Sequence, residues 1–256
     1  MTTEEMSVYY FDDQCPWNQL ALLQARSAAR VLGLRLIEFN LAEVGSDLPV
    51  FFPFSLVHKN HMIAGPVPAN FIVEIVKGFR TVAPQNETAD KPSGKCDNLR
   101  PYSRESLKDA CNVCTNGTGR GTEEKVNWYN RFRGEDKIFG FVSYFNKRPV
   151  AFCEVIPSSY SPYSIPKNDR TAFITCIYSS PDEPLDFRGE LIDEVIAESK
   201  RRKYERIEVL SGVRSPFPNG PKRFFESRGF FCDKQLLDSV IMLSGSDEIS
   251  LLTKAL

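Results

Sequence analysis

Along residues 6–80 the apolar positions change rhythm repeatedly, and each change marks an element. Residues 7–11 are a short aromatic and β-branched run, which predicts a strand. Asp12, Asp13 and Gln14 interrupt it. From residue 16 to 32, Leu20, Leu23 and Val31 recur on one side among many alanines, which predicts a helix. Pro16 stands where a first turn tolerates a missing N–H, and Gly33 where the helix can stop. Strands are predicted over 34–40, 54–58 and 62–64, the last two joined by Lys59-Asn60, and a helix over 71–79.

Residues 81–96 lose apolar periodicity and read as a linker. Beyond it the pattern predicts a strand over 99–101, a helix from an N-cap at Ser103 to residue 113, and a helix over 123–133. A hairpin over 138–145 and 149–156 turns at Asn146-Lys147. After a Pro/Ser/Tyr-rich loop, 157–169, come a strand over 172–179 and an amphipathic helix after Gly189 that buries Leu191, Ile192, Val195 and Ile196. A strand over 206–210, a short helix over 221–228 and a last strand over 240–243 complete the α/β pattern. The expected division is a first domain over 1–82, a linker over 83–96 and a second domain over 97–256.

Composition narrows the function classes. Apolar residues at 42%, charged residues at 25% and a net charge of −1 are ordinary for a globular chain, with no basic stripe for nucleic acid. No apolar run approaches the ~18 residues that cross a bilayer, so no membrane partner is expected. The start, Met1-Thr2-Thr3-Glu4-Glu5, lacks the basic and apolar regions of a signal peptide, which points to the cytoplasm. Seven cysteines are then reduced thiols. Cys111-Asn112-Val113-Cys114 has no second pair to complete a zinc site, so no metal is expected and the bland reading is free thiols. His58 and His61 flank a turn and read as exposed turn residues.

Two resemblances add to this reading. The first 75 or so residues, in βαβ…ββα order, resemble the thioredoxin fold. Cys15-Pro16-Trp17-Asn18 follows the first strand, where that fold carries Cys-x-x-Cys, and Pro53 precedes a strand, where it carries a cis-proline. Asn18 replaces the second cysteine, which leaves Cys15 as a single-thiol redox candidate. A thiol at a helix N-terminus is expected to have a lowered pKa.

Residues 97–245 resemble the GNAT superfamily of acyl-CoA N-acyltransferases. The resemblance rests on the element order, on Arg148-Pro149-Val150-Ala151-Phe152, and on Phe224-Phe225-Glu226-Ser227-Arg228-Gly229-Phe230. The fold class that follows is an N-terminal thioredoxin-like domain plus a C-terminal GNAT domain with a mixed sheet. The resemblance implies an N-acetyltransferase that uses acetyl-CoA as cosubstrate and an amine, small molecule or protein, as acceptor. It implies cofactor contacts at Cys176, Ile177, Tyr178 and Ser179, at Phe187, Arg188, Gly189 and Glu190, and at Phe224 and Phe225.

The family's diphosphate loop carries two glycines. Here Asp186 and Arg188 stand in their place, with Gly189 one position late. Phe225 stands where the family often has an acidic tyrosine. The expected base is Glu154 or, second, Asp169, the expected acid is Tyr178, and Tyr160 and Tyr163 are expected to border the acceptor groove. A catalytically weak or inactive CoA-binding or partner-binding scaffold is the alternative that these departures leave open.

Overall fold

A computed structural model describes residues 4–44, 49–87, 89–132 and 137–256. The strands are β1 (Glu5–Tyr10), β2 (Arg35–Asn40), β3 (Phe54–His58), β4 (His61–Ala64), β5 (Asn98–Pro101), β6 (Phe139–Phe145), β7 (Arg148–Pro157), β8 (Thr171–Ser179), β9 (Arg206–Gly212), β10 (Phe231–Met242) and β11 (Gly245–Ala255). The helices are α1 (Asn18–Leu32), α2 (Leu41–Val44), α3 (Ala69–Val76), α4 (Leu107–Cys114), α5 (Thr122–Arg131), α6 (Arg188–Arg201) and α7 (Lys222–Glu226).

Among the described residues the eleven strands form one mixed sheet in the order β2-β1-β3-β4-β10-β11-β9-β8-β7-β6-β5. β1 runs parallel to β2 and antiparallel to β3. The two halves of the sheet meet at β4 and β10, through the parallel pair Ile63–Ile241.

Local chemistry accounts for the element ends. Gly33 adopts φ 68°, and Leu34 N–H bonds back to the Ala29 carbonyl, so α1 stops where the glycine was expected to stop it. Asn146 and Lys147 both take positive φ, the requirement of a two-residue hairpin turn. α6 carries Glu190 in its first turn and Lys200 and Arg201 in its last, in line with its dipole.

Two expectations are corrected and one falls outside the described residues. α4 starts at Leu107 with Ser106 at its N-cap position, because the Ser103 carbonyl and the Ser106 hydroxyl close a tight turn first. Arg133, the expected end of α5, lies outside the described residues. The last strand is not 240–243 but a long hairpin, β10 with β11. β10 has three register irregularities and exposed charges, and β11 lies between two strands with buried Asp247, Ser250 and Thr253, so neither shows clean alternation.

Strand alternation sends side chains into three cores. Met6, Val8 and Leu56 pack under the alanines of α1 and Phe71, Ile72 and Ile75 of α3. Ala151, Cys153 and Val155 of β7 face Leu191, Ile192 and Val195 of α6. The third core is shared: Tyr9, Phe11 and Phe52 join Leu107, Trp128 and Phe173. Phe11 meets Trp128 edge-on at 5.8 Å. The halves are therefore fused by apolar burial as well as by the sheet.

Gly121 marks how closely they press together. At φ +66° it leads into α5, and a Cβ there would lie 2.2 Å from the Pro16 carbonyl oxygen. Gly33 has a similar φ, +68°, with nothing within 4 Å. Gly33→Ala should cost about 1 kcal/mol, the left-handed penalty alone, whereas Gly121→Ala should cost upwards of about 3 kcal/mol from the added clash. Urea denaturation measures both, and equal costs would mean that the halves do not press on each other at Pro16.

Candidate active site

A cavity of ≈250 Å³ lies between the halves. The first half supplies the 14–18 turn, Pro53, Phe54, Gly65 and Pro66. The second supplies α4, Lys125 of α5, residues 175–178 of β8 and the 216–219 loop. Four of the seven cysteines, Cys15, Cys111, Cys114 and Cys176, are in its wall.

Behind that wall sits Glu154, wholly buried on the same side of β7 as Phe152 and Ile156. A bare carboxylate there would be prohibitive. Its Oε1 accepts hydrogen bonds from Gln14 Nε2 at 2.7 Å and Thr175 Oγ1 at 2.6 Å. Its Oε2 accepts from Tyr102 OH at 2.7 Å and Lys125 Nζ at 2.5 Å. Lys125 Nζ also donates to the Gln14 carbonyl and lies 4.4 Å from the Trp128 ring centre.

A register shift between Glu154 and Val155 leaves Thr175 as an extra residue on β8, which aims its hydroxyl at Glu154. Burial pushes the Glu154 carboxyl up, but the Lys125 charge and the hydrogen bonds from Lys125, Thr175 and Gln14 outweigh it and hold it below the usual carboxylate range. Glu154 itself is not in the cavity wall. Each of its oxygens accepts two hydrogen bonds, so its geometry is that of a positioning group.

The parallel ladder between β8 and β9 covers only Thr171–Ile174 against Arg206–Val209. Past it, Asn219 spans the two strands, accepting from Ile177 N–H at 2.9 Å and donating to the Leu210 carbonyl at 3.0 Å. Cys176, Ile177 and Tyr178 of this segment line the cavity. Burial pushes the Tyr178 hydroxyl up to about 12, so it keeps its proton at neutral pH. Ser179 lies past the wall, where its hydroxyl accepts from Phe187 N–H at 3.4 Å.

The start of α6 is engaged within the chain. Asp186 N–H bonds the Pro92 carbonyl, and Gly94 N–H bonds the Asp186 carbonyl. The Asp186 carboxylate accepts from Arg188 N–H at 3.0 Å and from the Arg188 guanidinium at 2.8 Å, while Arg188 Nη1 donates to the Gly220 carbonyl at 2.6 Å. Gly189 lies beneath Ser93 and Arg228, and Glu190 accepts from the Cys96 amide. Phe224 is flanked by the guanidinium groups of Arg188 and Arg228, at 4.2 and 4.1 Å. Two cations thus flank this helix start, but the amides of residues 186–188 already have partners.

Other expected site residues lie elsewhere. Phe225 is wholly buried against Phe224 and Phe230, and Phe187 packs on Phe145; neither is in the cavity wall. Tyr163 is core, Tyr160 is a surface residue against Phe132 and Lys137, and Asp169 is exposed. Cys15 reverses its expected chemistry: burial pushes its thiol up to about 11, outweighing the Trp17 amide hydrogen bond and the nearby Lys125 charge. Pro53 lines the cavity but is not preceded by a cis bond; cis bonds occur at Phe217–Pro218 and Gly220–Pro221. His58 is buried, its Nδ1 2.9 Å from the Glu5 carbonyl oxygen. Among the described residues no group of three or more His, Cys, Asp or Glu is arranged to hold a metal, and no helix is long and apolar enough to cross a membrane.

Gln14, Asn18, Tyr102, Lys125, Thr175 and Asn219 were not anticipated. One signal was available: Lys125 shares a helical face with Trp128 and Tyr129, an unusual position for a lysine unless it is paired.

Solved structures similar in fold are GNAT acetyltransferases. A Salmonella typhimurium protein assigned as an acetyltransferase, solved with its cofactor acetyl-CoA, matches at 12% identity and TM-score 0.48 over 62% of this chain and 92% of that one. An N-acetyltransferase from Staphylococcus aureus matches at 13% identity and TM-score 0.45, over 62% and 97%. A spermidine/spermine N-acetyltransferase from Vibrio cholerae, solved with manganese ions, matches at 17% identity and TM-score 0.47, over 62% and 91%. No protein-family model and no curated protein matches the chain.

Two measurements probe the buried cluster. Glu154→Gln and Lys125→Met should each cost about 3–5 kcal/mol, because each strands a buried partner, and the double variant should cost clearly less than their sum. Since the folded pKa of Glu154 is depressed, its contribution is complete above the usual carboxylate range and is lost as pH falls through the lowered value; denaturant titrations against pH should show that loss in the wild type and not in Glu154→Gln. Alkylation mapped by peptide mass should label exposed Cys232 first and leave Cys15 untouched until the pH approaches about 11.

Proposed function

We propose that the chain is an N-acetyltransferase that moves an acetyl group from acetyl-CoA to an amine held in the cavity. The observation that carries this reading is the parting of β8 from β9 beyond Ile174 and Val209, with a cavity at the wide end. A thioester lying between the strands would present its carbonyl to that cavity. The amine nitrogen would attack that carbonyl, forming the C–N bond as the C–S bond breaks; Tyr178 would protonate the departing thiolate and its phenolate would take up the proton that the amine nitrogen sheds. Glu154 would act at one remove, by fixing Gln14, Lys125 and Thr175. The diphosphate would sit by Arg188 and Arg228, taking the place of the Asp186 carboxylate. The first half we read as a thioredoxin-like domain that closes the acceptor side; its β2-β1-β3-β4 order supports this.

The engaged amides and the Asp186–Arg188 pair favour a second reading, a scaffold that binds CoA weakly or not at all. The two readings diverge at Asp186. If acetyl-CoA binds, Asp186→Asn removes a competing negative charge and should tighten it about tenfold, while Arg188→Ala should weaken it about tenfold or more. Calorimetry and thermal shift with acetyl-CoA measure this, followed by thiol release against a panel of amines. No stabilisation of the wild type or of Asp186→Asn at large excess would sink both transfer and CoA binding.

A further inference from the structure

Residues 89–96, the last part of the connection between the halves, cross the start of α6. Ser93 forms a β-bridge with Asp186. Asp186 N–H donates to the Pro92 carbonyl at 2.9 Å, and Gly94 N–H donates to the Asp186 carbonyl at 2.8 Å. One turn into the helix, Glu190 Oε2 accepts from the Cys96 amide at 2.9 Å. The approach is close enough to need Gly94: a Cβ there would lie 2.8 Å from the Phe187 ring and 2.9 Å from Leu185 Cβ. A Cβ on Gly189 would in turn meet Arg228 Nη2 at 3.0 Å and the Ser93 hydroxyl at 3.4 Å. The segment therefore stands over Gly189, beside Arg228.

What holds it there is polar and open to water. Of residues 89–96 only Gly94 is buried, with Cys96 half-buried. Exposed Lys91 donates to the Pro181 and Glu183 carbonyls at 2.8 and 2.7 Å, and exposed Asp90 pairs with Arg223 at 2.9 Å. Such surface pairs each contribute little. A segment with almost no buried apolar contact opens at low free energy. Asp90 and Asp186 also engage Arg223 and Arg188, so a polyanion reaching this surface competes with carboxylates of the chain itself.

We infer that residues 89–96 are an autoinhibitory strap: they and the diphosphate of acetyl-CoA exclude each other at the start of α6, so that cofactor binding releases the strap. The inference rests on the diphosphate position given above, beside Arg188 and Arg228. The coupling is reciprocal, so whatever loosens the strap tightens the cofactor. The apparent affinity of the wild type is its intrinsic affinity reduced by the fraction of molecules whose strap is open.

Two variants loosen the strap and leave Arg188 and Arg228 in place. Lys91→Ala removes the donor to Pro181 and Glu183. Gly94 is not among the positive-φ glycines, so Gly94→Ala acts through the contact with Phe187 and Leu185. In calorimetry on the full chain, acetyl-CoA should bind about two- to fivefold tighter to Lys91→Ala and about fivefold or more tighter to Gly94→Ala. Hydrogen exchange on the wild type gives an independent readout: saturating acetyl-CoA should speed exchange over residues 92–96, where a ligand that left the strap closed would not. Should Gly94→Ala not fold, Lys91→Ala and the wild-type exchange still decide. Unchanged affinity in the folded variants, or exchange over 92–96 that slows or stays constant, would overturn the strap while acetyl-CoA binding leaves the transferase reading standing. Acetyl-CoA binding to neither the wild type nor a loosened variant would remove both.

Discussion

One buried carboxylate organises the centre of the molecule. Glu154 receives hydrogen bonds from Gln14 in the first half, Tyr102 after β5, Lys125 on α5 and Thr175 on β8. A wholly buried charge is tolerable only when its partners are held in place, so its burial demands that four separate segments converge. All four of these partners line the cavity, so the demands of Glu154 fix one side of its wall, and the β7–β8 irregularity is the local backbone adjustment that brings Thr175 within reach.

The same demand explains the opening between β8 and β9. Where parallel strands part, backbone groups lose their ladder and need other partners. Asn219 meets that need on both strands at once. At the start of α6, Asp186, Ser179 and the segment through Pro92 and Gly94 do the same for the helix amides. The family resemblance would put ligand atoms at these positions, and here side chains and the connecting segment hold them. The connection expected to be a featureless linker is bridged to Asp186 and to Ser246.

Much of the architecture was legible in the residues. The rhythm through α1, the stop at Gly33 and the β6–β7 turn at Asn146-Lys147 depend on short-range chemistry, and short-range chemistry is what a sequence displays. The β10–β11 hairpin was largely missed because a bulged strand and an inner strand with buried polar groups lack the alternation that identifies half-buried strands. The site was less legible still. Cys176, Ile177 and Tyr178 do face the cavity, but Phe225 is core and Glu154 is screened from the cavity by its own partners. Cys15 shows why: its position before a helix argues for a reactive thiolate, and only the second half of the chain, by burying it, makes it reluctant to ionise.

The cavity has no single owner. Asn18 and Trp17 come from one end of the chain, Tyr178 and Phe217 from the other, and neither set encloses a volume alone. In lineages descended from such a protein, a change of pocket lining in one half would select for an answering change in the other. Recombination that shuffled the halves between diverged copies would have to preserve that match together with the core the halves share.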